Sequence, residues 1–377
     1  MLRISKSLLV FLIAAVCGVA APSAGQTSRL TNAKVQPVAS SGALTAQFKA
    51  LVDAQVEPAW IAYTQPIIDG TLASCCYGWS DNGSGQSVCC VGCPLEGRSN
   101  IVSVTDQRGD DGTPGAGGPQ QPIKLEGATH FVMLFRIENR RVDRVRMYST
   151  DCALDAGGLT VHTITGVKAS DSLALLESLV TTWPATLNRK SVPDALVTGI
   201  AYHKDPAADG VLKNLLAATQ TEDVRRRATF WLARARGRSG FEAVRSVMRN
   251  DPSERVRKHA VFALTQSREP EVVPVLIEAA RSSPQAEIRG EALFWLAQRA
   301  GKQAAEAITR AIEQDPDTEV KVRAVAALGQ LPKDEGVPLL INVARTTTNP
   351  AVRKRAMHWL GQSKDPRAVD FFESILK

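Results

Sequence analysis

From Val192 to the C-terminus the chain repeats every 32 residues, and a period of this size leaves few folds open. Steps of 32 land on a branched apolar residue at Val192, Val224, Val256, Ile288, Val320 and Val352, and on another aliphatic one at Ile200, Leu232, Leu264, Leu296, Leu328 and Leu360. Between these columns Leu196 leads into an unbroken run of alanines: Ala228, Ala260, Ala292, Ala324 and Ala356. The three columns stand one helical turn apart on a single face, and the small central residue lets a neighbouring helix come close. No copy completes an apolar face alone, so the copies must bury a core against one another. Residues 191–377 are therefore predicted to form an all-α solenoid.

Each unit reads as two helices. In the fifth copy Asp317 is placed to cap the first helix, and Glu319 sits in its positive first turn. A turn at LPKDEG then leads to a second helix from Val337 to Ala344. The sixth copy offers Asn349 as cap and Pro350 at the first helical position, where proline's missing donor costs least. The second helix keeps its own column: Leu212, Val244, Leu276, Ile308, Leu340 and Phe372. Val320, Arg323, Ala324 and Leu328-Gly329, and again Val352, Arg353, Ala356, Leu360 and Gly361, form a pattern that resembles the HEAT-like repeats of phycobilisome lyases. The resemblance covers about half of the chain and implies an α-solenoid of about six two-helix repeats. It implies no chemistry, because the same repeat serves lyases, hydroxylases and scaffolds.

Residues 1–25 read as a signal peptide. Arg3 and Lys6 precede an apolar run from Leu8 to Val16, followed by CGVAAPSAG. The run falls well short of the ~20 residues a bilayer requires. Cleavage is expected between Ala20 and Gln26, leaving an exported chain, periplasmic or secreted, with no stable membrane span. Val16, just before Cys17, departs from the small residue a lipoprotein signal peptidase prefers. Loss of the leader lowers the formal net charge from +7 to near +5. That is small for the length, so nucleic acid is not an expected partner.

Residues 26–42 are polar without periodicity and read as a linker; 43–190 read as a cysteine-containing α+β module. Leu44, Phe48, Leu51 and Val52 mark one face of a short helix, and PAWIAYTQPIIDG a strand with a turn or a second strand. Two strands, Phe131 to Ile137 and Val142 to Tyr148, are joined by ENRR in a hairpin. A short strand in LTVHTITGV and a helix in SDSLALLESLVTTW, capped by Ser170 or Asp171, complete the module. The Gly/Pro-rich stretch from Asp106 to Pro122 holds an RGD triplet, Arg108 to Asp110, too short to carry an adhesion role by itself. The module loosely resembles uncharacterised domains that precede such repeats in exported bacterial proteins. It is expected to dock on the N-terminal end of the array, where a terminal repeat needs a cover.

Behind the leader lie six cysteines: Cys75, Cys76, Cys89, Cys90, Cys93 and Cys152. An even number in an exported chain points to disulfides, with the connectivity open. A metal site is disfavoured, since only Cys90 and Cys93 make a CxxC step. A catalytic thiol paired with His130 or His162 would need reduced cysteine in an oxidising space. GxSxG, HExxH and GxxxxGK[ST] motifs are missing, so no catalytic residue, metal or cofactor is assigned.

Two columns are candidates for binding. Arg225, Arg257, Arg289, Lys321 and Arg353 place a cation near the start of the first helix in five successive copies, where the helix dipole disfavours positive charge. They form either an internal ladder, each bonded to an acid or a free carbonyl of an adjoining unit, or a track for an acidic partner. Arg226, Arg227, Lys258, Arg323 and Arg355 extend that track. Trp231, Trp295 and Trp359 recur every 64 residues with Ala263 and Ala327 between, beside Phe230, Phe262, Phe294 and His358. Large against small suits core packing, while any ring that reaches the surface would anchor a partner. The reading is thus an exported, non-enzymatic scaffold that binds a protein partner. The competing one is an exported enzyme or ligand-binding protein with its site in the module, around Cys75 to Cys93, Asp151 and His162.

Overall fold

The computed structural model describes residues 29–68, 93–96, 129–187, 193–299 and 301–376. The leader, Cys75, Cys76, Cys89, Cys90, the Cys93 side chain and the triplet at 108–110 lie outside the described residues. In chain order the N-terminal module runs β1 (Arg29–Thr31), β2 (Lys34–Ala39), α1 (Leu44–Ala54), β3 (Ala59–Pro66), β4 (Cys93–Pro94), β5 (His130–Glu138), β6 (Arg141–Ser149), β7 (Ala153–Asp155), β8 (Thr160–Thr165) and α2 (Ala169–Leu187). One sheet has the order β2-β8-β3-β5-β6, with β2, β8 and β3 parallel and the β3-β5-β6 pairings antiparallel. A second sheet, β1-β7-β4, is wholly parallel.

β5 is an inner strand of the larger sheet with both faces buried, which is why HFVMLFRI reads as one apolar run rather than an alternation. Phe131, Met133, Phe135 and Ile137 join the core shared with the helices; Val132 and Leu134 face a second core with Trp60, Leu95, Tyr148 and Leu154. The hairpin to β6 turns on Asn139 and Arg140, at φ of 51° and 57°. Two left-handed central residues match the twist of the flanking strands.

The linker reading fails for residues 29–39, which form β1 and β2. β2 pairs with β8 from Lys34 opposite Thr160 to Ala39 opposite Thr165. It is an edge strand held by its backbone, its side chains almost all exposed, so it carries no apolar alternation and tolerates Pro37. Ser170 and Asp171 do not cap α2 either. The helix starts at Ala169, where the Ser172 amide donates to the Lys168 carbonyl (3.0 Å), and both residues sit in its first turn.

Six helix pairs follow: α3 (Asp194–Tyr202) and α4 (Ala207–Asn214), α5 (Glu222–Ala235) and α6 (Gly237–Asn250), α7 (Glu254–Leu264) and α8 (Val272–Ser282), α9 (Ala286–Arg299) and α10 (Gly301–Gln314), α11 (Thr318–Leu328) and α12 (Lys333–Thr346), α13 (Pro350–Ser363) and α14 (Pro366–Leu376). The first helix of each pair is called A and the second B. All five alanines of the central column are fully buried, as are the members of the flanking aliphatic columns from Ile200 onward, Val192 lying outside the described residues. Asp317 Oδ1 accepts from the Glu319 and Val320 amides (2.7 and 3.3 Å), and Asn349 Oδ1 from those of Ala351 and Val352 (3.0 and 3.3 Å). α12 starts earlier than the apolar pattern suggested: KDEG is its first turn, with Asp334 and Glu335 at the positive end of the helix.

The module closes the N-terminal end of this stack. Gly199 of α3 lies against β5 so closely that a β-carbon there would come within 2.8 Å of Met133 Sδ. Backbone bonds from Ile68 N to Tyr202 O (2.9 Å) and from Lys204 N to Pro66 O (3.0 Å) tie the strand β3 to the end of α3. One continuous apolar core consequently runs from α1 and the sheet through to Phe371 of the last helix.

Candidate partner-binding surface

All five ladder cations are bonded within the array, and two of them are buried. Arg225 is 5% exposed and grips Asp251 with Nε to Oδ2 at 2.9 Å and Nη2 to Oδ1 at 3.1 Å, while its Nη1 donates to the Gln220 carbonyl. Arg289, 9% exposed, does the same with Asp315 (2.7 and 3.0 Å) and the Ser283 carbonyl. Arg257 donates to the Asp251 and Pro252 carbonyls and to Glu287, Lys321 to the Glu313 carbonyl, and Arg353 to the Thr347 carbonyl. The helix-dipole conflict is thereby resolved. From Arg257 onward each side chain folds back onto free carbonyls at or just beyond the end of the preceding B helix, where the dipole favours a cation. Burial raises the Asp315 carboxyl, but the hydrogen bonds from Arg289 and the Asp317 amide outweigh it and hold the group below the usual carboxylate range. As a track for a partner, Arg225 and Arg289 are unavailable.

The acids of these pairs escaped the sequence reading although they had a signal. Position 251 steps to 283, 315 and 347, giving Asp, Ser, Asp and Thr, an alternation with the same 64-residue spacing as the tryptophans. Both alternations belong to a two-repeat unit.

The tryptophans lie half-buried between successive A helices, and their neighbours reach the surface. Trp231 sits edge-on to Tyr202 (5.4 Å between ring centroids) and to Phe230 (5.0 Å); Phe230 stacks on Phe262 (6.0 Å); Phe262 meets Trp295 (4.9 Å), which meets Phe294 (5.0 Å). Six rings thus form an unbroken stripe along α3, α5, α7 and α9. The indole donors are used locally, Trp231 to Asp194 and Trp295 to Glu291. Phe230 and Phe262 are half-buried and Phe294 is 41% exposed. Trp359 stands apart, lying flat against Gly329 of the preceding repeat.

On the opposite layer, adjoining B helices leave furrows of mixed polar and apolar lining. One of about 630 Å³ separates α4 from α6 (Lys213, Glu242, Asn250), one of about 390 Å³ separates α6 from α8 (Arg249, Asn250, Ser282), and one of about 490 Å³ separates α8 from α10 (Arg281, Ser282, Gln303, Arg310). Shared lining residues make them continuous, but their charges are mixed and largely paired.

Residues 208–297 and 305–377 match the family model of HEAT repeats. The C-terminal half is a HEAT array. Solved structures with some likeness include human deoxyhypusine hydroxylase in complex with glycerol (20% identity, 56% of this chain and 74% of that chain, TM-score 0.24). Another is Kap95p with RanGDP (19%, 51% and 29%, TM-score 0.33), and a third the CpcE–CpcF complex of phycocyanin lyase from Nostoc sp. PCC7120 (20%, 41% and 76%, TM-score 0.25). TM-scores this low bear on nothing beyond the family match. No curated protein matches the chain.

Outside the HEAT array, most of the competing site lies outside the described residues, and the two histidines offered to it stand apart. His162 stands in β8 in line with Ile61 and Phe135, its Nε2 2.9 Å from Gln55 Nε2. His130 opens β5, five residues or ~17 Å along the strand from that line. Burial lowers both imidazoles below their usual range, with the Lys204 charge adding at His130. Cys152 is buried and disulfide-bonded. Asp151 beside it has both carboxylate oxygens buried without a hydrogen-bond partner among the described residues. A cluster the sequence did not reveal lies on the second core. Glu96 accepts from Arg136 Nε (2.9 Å) and Nη2 (3.0 Å) and from Trp60 Nε1 (2.8 Å), a half-buried anchor just beyond β4. Burial raises the Glu96 carboxyl; the Arg136 and Trp60 bonds and the Arg136 and Arg144 charges prevail and keep it low. Among the described residues no group of three or more His, Cys, Asp or Glu could hold a metal ion, and no helix is long and apolar enough to cross a membrane.

Proposed function

We propose that this chain is an exported, non-enzymatic interaction scaffold whose HEAT array binds a protein partner, with the cysteine-containing module as a disulfide-braced cap on the array. The observation that carries this is the row of Phe230, Phe262 and Phe294, emerging at equivalent positions of three successive repeats. The exposed part of these rings adds nothing to the monomer's stability, whereas aromatic anchors dominate interface energetics. HEAT arrays commonly serve as interaction scaffolds, and the buried pairs of Arg225 with Asp251 and Arg289 with Asp315 take those two cations out of any partner surface. Export rests on the leader at residues 1–25.

The test is capture with the full-length chain, tagged at the C-terminus, from the envelope of the producing cell, followed by reconstitution with the purified partner. A saturable complex that forms with the chain and with a Cys152→Ser variant of unchanged fold supports a scaffold. Capture of no specific partner, or loss of binding with the cysteine alone, counts against it. Retention of the chain in the cytoplasm would remove the export element.

A further inference from the structure

The A-helix face of repeats two to four carries two parallel columns, aromatic and cationic. Arg226 precedes Phe230 by one turn, and Lys258 precedes Phe262 by one turn, so each pair shares a face. The fourth repeat has Gly290 at the cation position, and its space is taken by the next repeat. A β-carbon at Gly290 would come within 2.6 Å of Arg323 Cδ, because the Arg323 side chain is laid across it. The cation column is therefore continuous, Arg226, Lys258 and Arg323, alongside Phe230, Phe262 and Phe294. Arg226 has no acidic partner among the described residues, and Lys258 and Arg323 have only loose contacts with Glu254 (3.8 Å) and Glu319 (3.4 Å) at exposed positions. Such surface pairs are weak enough for a ligand carboxylate to compete. His259, tilted against Phe262, is neutral at pH 7, its imidazole pushed down to about 4 by burial and by the charge of Arg226.

We propose that this face binds a linear, acidic segment of the partner bearing bulky apolar side chains, the carboxylates on the cation column and the apolar groups on the phenylalanine column. The inference rests on the scaffold reading and specifies its partner. Charge complementarity selects the occupant. A third row, Glu222, Glu254 and Glu319, lies one turn before the cations and opposes a polyanion with closely spaced phosphates, but leaves room for carboxylates set one per repeat. Packed helices stand about 8–10 Å apart. A three-residue step in polyproline II conformation advances about 9 Å, so a carboxylate and an apolar group every third residue keep pace with the repeats.

The probe is a fluorescein-labelled peptide of five Glu-Phe-Ser triplets, followed by anisotropy with the full-length chain. Controls replace Glu with Lys, replace Phe with Ser, or use an oligothymidylate of equal length. Binding of the Glu/Phe peptide is expected, with about a tenfold loss or more for each control and for the Phe262→Ser/Phe294→Ser variant. The charge reversal Arg226→Glu/Lys258→Glu/Arg323→Glu, all at solvent-accessible positions, should transfer the preference to the Lys/Phe peptide, which a merely misfolded variant cannot do. No binding of the Glu/Phe peptide, equal binding of the Lys/Phe peptide or oligothymidylate, or unchanged binding by the charge-reversed chain overturns the proposal. A captured partner that binds the charge-reversed chain as well as the natural one overturns this inference while leaving the scaffold reading standing.

Discussion

Asp251→Ala tests whether the ladder holds successive repeats in register. Arg225 and Asp251 side chains are 6% and 4% exposed and joined by two hydrogen bonds. Asp251 Oδ1 also accepts from the Ser253 amide at 2.8 Å, which fixes the turn into α7. Removal of the carboxylate leaves a buried guanidinium with only the Gln220 carbonyl, and breaking a buried pair from one side costs about 3–5 kcal/mol. In a unit of this size that corresponds to a fall in Tm of about 6–20 °C. Arg353→Ala removes a single bond from an exposed side chain to a carbonyl and should cost under about 1 kcal/mol. The Arg225→Met/Asp251→Leu pair should recover most of the loss, since apolar replacement of both partners removes the unpaired charge. Circular dichroism melts give the sizes, and amide exchange across α6 and α7 places the loosening. Equal melting of Asp251→Ala and Arg353→Ala, or a double replacement no better than Asp251→Ala, would refute a structural role for the ladder.

Other consequences concern the junction and the stack. Gly199→Ala forces Met133 Sδ away from α3, so it should cost about 1–3 kcal/mol and speed proteolysis between module and array. Burial lowers the His203 imidazole to about 4; the Asp205 charge opposes this and the Arg236 charge adds to it. An unfolded imidazole titrates near 6.5, so the unfolded chain takes up the proton first and stability falls as pH drops from about 6.5 to about 4. Urea titrations at pH 6.5 and 5 should differ by about 2 kcal/mol more for the natural chain than for His203→Gln, and an equal difference would count against a buried neutral imidazole. Gly329→Ala would put a methyl within 2.4 Å of the Trp359 ring, and a melt lowered by less than the equivalent of about 1 kcal/mol would contradict that packing.

The array was legible because its information is local and repeated: Asp317 and Asn349 cap where their side chains predict, and the alanine column is buried in every copy from the second onward. The module was harder. β1 and β2 find their partners more than 120 residues away, by backbone bonds that leave no pattern in side chains. Arg136 reads as a surface residue in an apolar run until Glu96, forty residues earlier, is seen to neutralise it. The ladder cations were identified by their spacing, but their role depended on Asp251 and Asp315, residues that sit outside the apolar columns. Nothing in the period indicated that Arg323 would fill the place of Gly290, which only the stacking of the fourth and fifth repeats shows.

The central claim, that a partner binds the A-helix face, is most directly tested by site-specific photo-crosslinking in the producing cell. A photoreactive residue would be placed in turn at Phe294 on the A face, at Gln303 in the B-helix furrow and at Val35 on the module's edge strand, all exposed or bordering open space. The account predicts one partner crosslinked from position 294, through an acidic segment identified by peptide sequencing, and little from the other two. Crosslinks confined to position 303 or 35 would contradict it.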